Sequence, residues 1–269
     1  ANIRPIDDPI LNWRYLPGSE VQTGKIKRKY NKSGFRDVDH NVEKAPGVKR
    51  ILVVGDSVTE AGDVEWAAVF SSRLQADLGR SYEVITLAMG GLNTPQEIHL
   101  FEKEGLAYKP DLMILNFVLN DADFYTEYNA TQRYQAEKDS VVGVLGISIN
   151  PAFKRTLKSS ALVYFLKQRF EHAIGMFLGK EEIGYFENLW GKAENRQRVT
   201  NGFDRLWVMS KDSSFPVLVV IWPILTEFSR YKFEHIHQWV REEAEKRGFQ
   251  TLDLLPHFAK TSYRDLQVT

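Results

Sequence analysis

Cysteine is absent from the 269 residues, which excludes disulfides and thiolate metal sites. Net charge is absent as well. Lys+Arg and Asp+Glu stand at 35 each, so no global field draws in a polyanion and nucleic acid is not the expected main partner. No apolar run approaches the roughly 18 residues of a membrane-spanning helix, and the start of the chain carries no apolar signal-peptide core. The expectation is a soluble chain, with a removed leader or upstream anchor left open. Internal repeats and low-complexity tracts are missing too. What is present is a 43% hydrophobic, 12% aromatic composition, enough for one large core or a core with a substantial insertion.

The apolar residues fall into runs that alternate with helical patterns. Ile51 to Val54, Tyr82 to Ala88, Leu112 to Leu119, Val217 to Trp222 and Thr251 to Leu255 read as strands. The first, four branched apolar residues in a row, has the pattern of a strand buried on both faces. Between them, Val64 to Gly79 places Trp66, Val69, Phe70 and Leu74 on one helix face. Thr94-Pro-Gln-Glu97 reads as a helix start, with Thr94 as cap, Pro95 at the first helical position and Glu97 closing a capping box. A third helix is expected over about Glu227 to Arg247, carrying Phe228, Tyr231, Ile236, Trp239 and Val240 and ending at Gly248. Such alternation predicts a flavodoxin-like three-layer α/β/α fold with a five-stranded parallel sheet in the order 2-1-3-4-5.

Two regions exceed this minimum. Residues 1–49 hold turn signals and a basic run from Lys25 to Lys29, and read as an extended segment packed on the core, the run being a solvated surface. Residues 50–269 form the α/β domain, with a mainly helical insertion at about 122–215. Within the insertion, Leu162, Phe165, Leu166, Phe170, Ala173 and Phe177 form one helical stripe beside Lys158, Lys167 and Arg169. A helix at about 152–178 packed on its own domain satisfies this pattern; so would a lid, a membrane surface or a protein partner. The sequence leaves the oligomeric state open.

The chemistry concentrates at strand ends. Gly55 permits a tight exit from the first strand, and Ser57 then lies at the carboxyl edge of the sheet, where open α/β folds bind ligands. Gly90-Gly91 follows the second strand and Leu119-Asn-Asp121 the third, so three strand ends can converge on one pocket. Read together, Gly55-Asp-Ser57, the glycine pair and Asn120-Asp121 resemble the GDSL or SGNH family of serine hydrolases. The leading segments Asp8-Pro-Ile-Leu-Asn-Trp13 and Asn31-Lys-Ser-Gly-Phe-Arg-Asp37 resemble those of a bacterial subgroup. The resemblance implies Ser57 as nucleophile, and Gly91 N–H and Asn120 side chain as oxyanion donors with Ser57 N–H. It implies a serine esterase or acyl hydrolase acting on small acyl esters, O-acetyl groups on carbohydrate among them, through an acyl-enzyme and without a cofactor.

Family members take their base from an Asp-x-x-His block beyond the last strand, and no such spacing follows Leu255. The expectation is that acid and base lie beyond Thr269. Among the histidines, His257 follows the last strand at the correct sheet edge and is the internal alternative, although Asp253 to His257 has the wrong spacing. His40, His99, His172, His235 and His237 read as structural or surface residues. Asp56 reads as a turn residue, Asp121 as a loop cap and Glu60 as exposed. Asp121 and Asp123 lack a third convergent ligand for a metal site. A catalytically incomplete scaffold or binding subunit is the alternative function. A flavodoxin-like nucleotide or flavin binder is disfavoured, since the first loop has no glycine-rich phosphate cradle. An extracytoplasmic, surface-associated location is preferred over a cytoplasmic one.

Overall fold

The computed structural model describes residues 3–123 and 181–266. Two small antiparallel hairpins come first, β1 (Ile3–Pro5) with β2 (Trp13–Tyr15), and β3 (Glu20–Thr23) with β4 (Ile26–Lys29). The main sheet follows from β5 (Lys49–Gly55), β6 (Tyr82–Ala88), β7 (Leu112–Phe117), β8 (Val217–Ile221) and β9 (Gln250–Asp253). All four pairings are parallel and the spatial order is β6-β5-β7-β8-β9. Counted within that sheet alone, the order is the expected 2-1-3-4-5.

Both faces of the sheet are covered, which is why its strands read as unbroken apolar runs. Leu52 and Val54 point into the larger core with Leu115, Phe117, Val219 and Ile221. Their neighbours Ile51 and Val53 point the other way, to Val84, Ile114 and Val220, covered by Phe70 and Leu74. Helix α1 (Ser57–Glu60) is a single turn after β5, α2 (Phe70–Leu78) covers the smaller core, and α3 (Thr94–Leu100) runs back from β6. From the second large region the structure describes α4 (Glu181–Gly191) and α5 (Ala193–Asp212), whose Val199, Phe203 and Leu206 enter the larger core. Helix α6 (Glu234–Glu245) and the short α7 (Leu255–Phe258) complete the set. The aromatic and basic stripe at 152–178 lies outside the described residues.

Three expected helix boundaries are corrected. The pattern over Val64 to Gly79 splits into a 3-10 turn, Trp66–Ala68, and α2, because Val69 is extended (φ −64°, ψ 137°). The pattern from Glu227 splits likewise. A 3-10 turn spans Phe228–Arg230, Tyr231 is extended, and the helix begins at Glu234. At α3 the cap is Asn93 rather than Thr94, with Asn93 and Gln96 forming the reciprocal capping box. Glu97, expected to close that box, is instead buried inside the fold.

The amino-terminal segment is fastened to the sheet by one buried cation. The side chain of Arg50 on β5 is 1% exposed and donates to the carbonyls of Asn41, Val42 and Glu43, to that of Tyr108, and through Nε to Glu83 at 2.6 Å. A guanidinium supplies five donors in one plane, which a lysine cannot. Arg50→Met should therefore lower the unfolding free energy by about 3–5 kcal/mol in urea titrations. A loss below about 1 kcal/mol, the range of an ordinary surface change, would show that the 41–43 segment is held by other contacts.

Candidate active site

Gly55 ends β5, and Asp56 turns the chain into α1 as its N-cap, with φ −95° and ψ −144°. Its side chain is fully buried. Oδ1 accepts from Val58 N–H at 2.9 Å, while Oδ2 accepts from Asn120 Nδ2 at 3.0 Å and from Ser57 Oγ at 3.3 Å. One carboxylate oxygen thus ties together the serine after β5 and the asparagine after β7, two strands that pair directly. Burial pushes the Asp56 carboxyl up from its ordinary range, and the bonds from Asn120, Val58 and Ser57 pull it back towards the anion. Ser57 itself is exposed.

The third strand end arrives through β6. Gly91 has φ +82°, a backbone conformation in which a side chain would be strained, and open space surrounds it. Among the described residues its N–H has no hydrogen-bond partner. The preceding amide is held firmly, since Gly90 N–H donates to Glu60 Oε2 at 2.8 Å. A Cβ on Gly90 would lie 3.2 Å from that oxygen and 3.6 Å from Ser57 Cβ, which places the glycine pair beside the serine. Ser57, Gly91 and Asn120 are therefore brought to one edge of the sheet, with a hydroxyl, a free amide and a side-chain amide available there.

Glu60 corrects the expectation of an exposed residue. It is 3% exposed and collects Tyr15 Oη at 2.9 Å, Tyr30 Oη at 2.8 Å and Arg28 at 3.5 Å in addition to Gly90 N–H. Burial first, then the Glu60 charge, raises both phenols, Tyr30 to about 12, so both are donors at neutral pH. The two rings stack with centroids 4.2 Å apart. Arg28, expected to be solvated with the rest of its run, thus belongs to the site, whereas Lys27 and Lys29 pair with Glu20 on the hairpin surface. Sequence reasoning missed this clamp. The available signal was spacing, for Glu60 lies one helical turn beyond Ser57 and so shares its face.

No histidine hydrogen-bonds Ser57 among the described residues. His257 lies on α7, exposed, and its ring has no hydrogen-bond partner among the described residues. His237 is buried between Tyr231 Oη at 2.8 Å and Asp253 Oδ1 at 2.9 Å, and His99 bonds Asp8. An Asp-x-x-His spacing does occur at Asp37 to His40. That imidazole bonds Asp37 and, at 2.8 Å, Glu83 near the amino end of β6, at the opposite edge of the sheet from Ser57. His172 lies outside the described residues. Among the described residues no cluster of three or more metal-ligating side chains forms, and Asp123 instead bonds Tyr185.

A serine-bearing turn, a free amide and a side-chain amide thus stand at neighbouring ends of a parallel sheet. The family model for GDSL-like lipases and acylhydrolases matches residues 53–268, and the chain belongs to that family of ester hydrolases. Solved structures with similarity include the acetyl xylan esterase AlAXEase, 14% identical over 81% of this chain and 83% of that one, with a TM-score of 0.46. Another is AlinE4, an SGNH-hydrolase family esterase, 16% identical over 84% and 86% with a TM-score of 0.44. A catalytic mutant of Axe2, an acetylxylan esterase from Geobacillus stearothermophilus, is 13% identical over 81% of each chain, with a TM-score of 0.43. No curated protein matches the chain.

Removing the Glu60 carboxylate would strand the buried Tyr30 phenol, the half-buried Tyr15 phenol and the Gly90 amide at once. Glu60→Ala should cost about 3–5 kcal/mol of stability, measured by chemical denaturation. Glu60→Gln should recover part of it, because an amide oxygen still accepts. Equal losses for the two variants would mean that neither packing nor a neutral acceptor suffices and that the negative charge is what Glu60 supplies.

Proposed function

We propose that the protein is a serine esterase that hydrolyses small acyl esters through an acyl-enzyme, with Ser57 as nucleophile. The observation that carries this reading is the shared contact at Asp56 Oδ2, which brings the Ser57 hydroxyl and the Asn120 amide to one carboxylate oxygen. In the reaction Ser57 Oγ attacks the acyl carbon while its proton passes to a base. The carbonyl oxygen becomes negative, and Gly91 N–H, Ser57 N–H and the second Nδ2 proton of Asn120 are the donors assigned to it. Collapse expels the alcohol, which takes a proton from the protonated base, and water then releases the acid by the same route. These donors are fixed before the substrate arrives, so little reorganisation is needed as charge develops.

Among the described residues no histidine hydrogen-bonds Ser57, and the base is the open element of this reading. Within the chain we assign it to His257, just past the last strand. O-acetylated carbohydrates are the first substrates to test, and an extracytoplasmic setting is the one we favour for them. A catalytically incomplete scaffold is a second reading, favoured by the absence of a histidine bonded to Ser57 among the described residues.

Two measurements separate these readings. The protein should hydrolyse a short-chain aryl ester and react with a fluorophosphonate at Ser57, with Ser57→Ala inactive. Asn120→Ala should lower turnover by about 10²- to 10³-fold. His257→Ala should lower it as well, and an unchanged rate would place the base elsewhere. If the protein neither hydrolyses the ester nor reacts with the fluorophosphonate, the scaffold reading replaces the esterase.

A further inference from the structure

Two more buried carboxyl groups interact with Asp56, and the proposed chemistry does not use them. Glu97 on α3 and Asp121 after β7 are both fully buried. Neither oxygen of Glu97 has a hydrogen-bond partner, and Asp121 has one donor, Val118 N–H to Oδ2 at 2.9 Å, with Oδ1 unpartnered. One helical turn before Glu97 on α3, Thr94 Oγ1 is likewise buried and without a partner. The three carboxyls are close enough to feel one another's charge, Glu97 with Asp56, and Asp121 with both.

Their donor sets differ, and that decides where protons go. An ionised buried carboxylate needs hydrogen bonds or a cation to replace water. Asp56 has three donors, Asp121 one and Glu97 none. The charged groups on the packed elements are engaged elsewhere or apart. His99 on α3 bonds Asp8, Arg205 on α5 pairs with Glu102, Arg196 on α5 donates to the Trp190 carbonyl, Asp123 accepts from Tyr185, and both oxygens of Glu97 and Oδ1 of Asp121 are without a partner. Burial drives Glu97 and Asp121 well above the ordinary carboxyl range, and the neighbouring carboxylates push in the same direction.

We propose that Glu97 is a positioning residue that stays protonated at neutral pH, so that Asp56 remains the single anion of a buried three-carboxyl cluster and holds Ser57 and Asn120. Were Glu97 ionised, two adjacent buried anions would compete for too few donors, and Asp56 would take a proton and lose its strength as an acceptor. The neutral acid avoids that repulsion. The consequence for catalysis rests on Ser57 being the nucleophile; the protonation of Glu97 does not, and it can be tested whether or not the protein turns over an ester.

The sign of the effect on stability follows from a raised folded pKa. The contribution of Glu97 is fully present below its unfolded value of about 4.3 and is lost as pH rises towards the folded value. Glu97→Gln replaces the acid by a neutral group of the same shape that does not titrate. Against wild type it should be matched near pH 4 and should gain at least about 10 °C in melting temperature by pH 8. Asp121→Asn provides a second variant if Glu97→Gln does not fold. It should show the same pH-dependent gain, since Asp121 is raised in the same direction. The infrared difference between wild type and Glu97→Gln at pH 8 should contain the C=O stretch of a protonated carboxyl. A melting-temperature difference independent of pH, or a carboxylate band in place of the acid band, would overturn the proposal, whatever the outcome of the ester assays.

Discussion

A carboxylate cannot be buried without replacements for its water, and the site is arranged around meeting that requirement at Asp56. Its donors come from its own helix turn through Val58, from the adjacent Ser57 and, across the sheet, from Asn120. The last of these is the consequential one, because it converts the pairing of β5 with β7 into a fixed relation between two side chains. Register in a parallel pair fixes strand ends only to within the slack of their loops. A bond to a buried anion removes that slack, being stronger than one between neutral groups.

Glu60 performs a comparable task on the other side of Ser57. By accepting from Gly90 N–H it orients the peptide that leads to Gly91, and by accepting from Tyr15 and Tyr30 it draws the amino-terminal hairpins onto the same turn. Arg50 anchors the following segment at the far edge of the sheet. The leading residues are thus continuous with the site energetically, although they contribute no strand to the main sheet.

The sheet was legible in the sequence because strands covered on both faces show as apolar runs, and the glycines and turn residues at their ends mark where they stop. That Ser57, Gly91 and Asn120 share one edge of the sheet was legible for the same reason, since each sits just past such a run; the roles expected of them came from the family resemblance. What was not legible depended on distant partners. Glu60 is acidic and lies in a turn, and nothing nearby in sequence says that Tyr15 and Tyr30, 45 and 30 residues away, will enclose it. Val69 and Tyr231 fit the helical period of their neighbours, yet both adopt extended backbone, a choice that periodicity does not report. At α3, Asn93 and Thr94 are both good caps, and the one-residue difference decides whether Gln96 or Glu97 closes the box. That shift leaves Glu97 inside.

The most direct test of the account is a double-mutant cycle between Asp56 and Asn120, read as unfolding free energy for Asp56→Ala, Asn120→Ala and the pair at pH 7. A charge-assisted bond to a buried anion predicts a coupling energy of about 1–3 kcal/mol. Additive effects within about 0.5 kcal/mol would mean that the two strand ends are positioned independently, and would contradict the central role given to the Asp56 carboxylate.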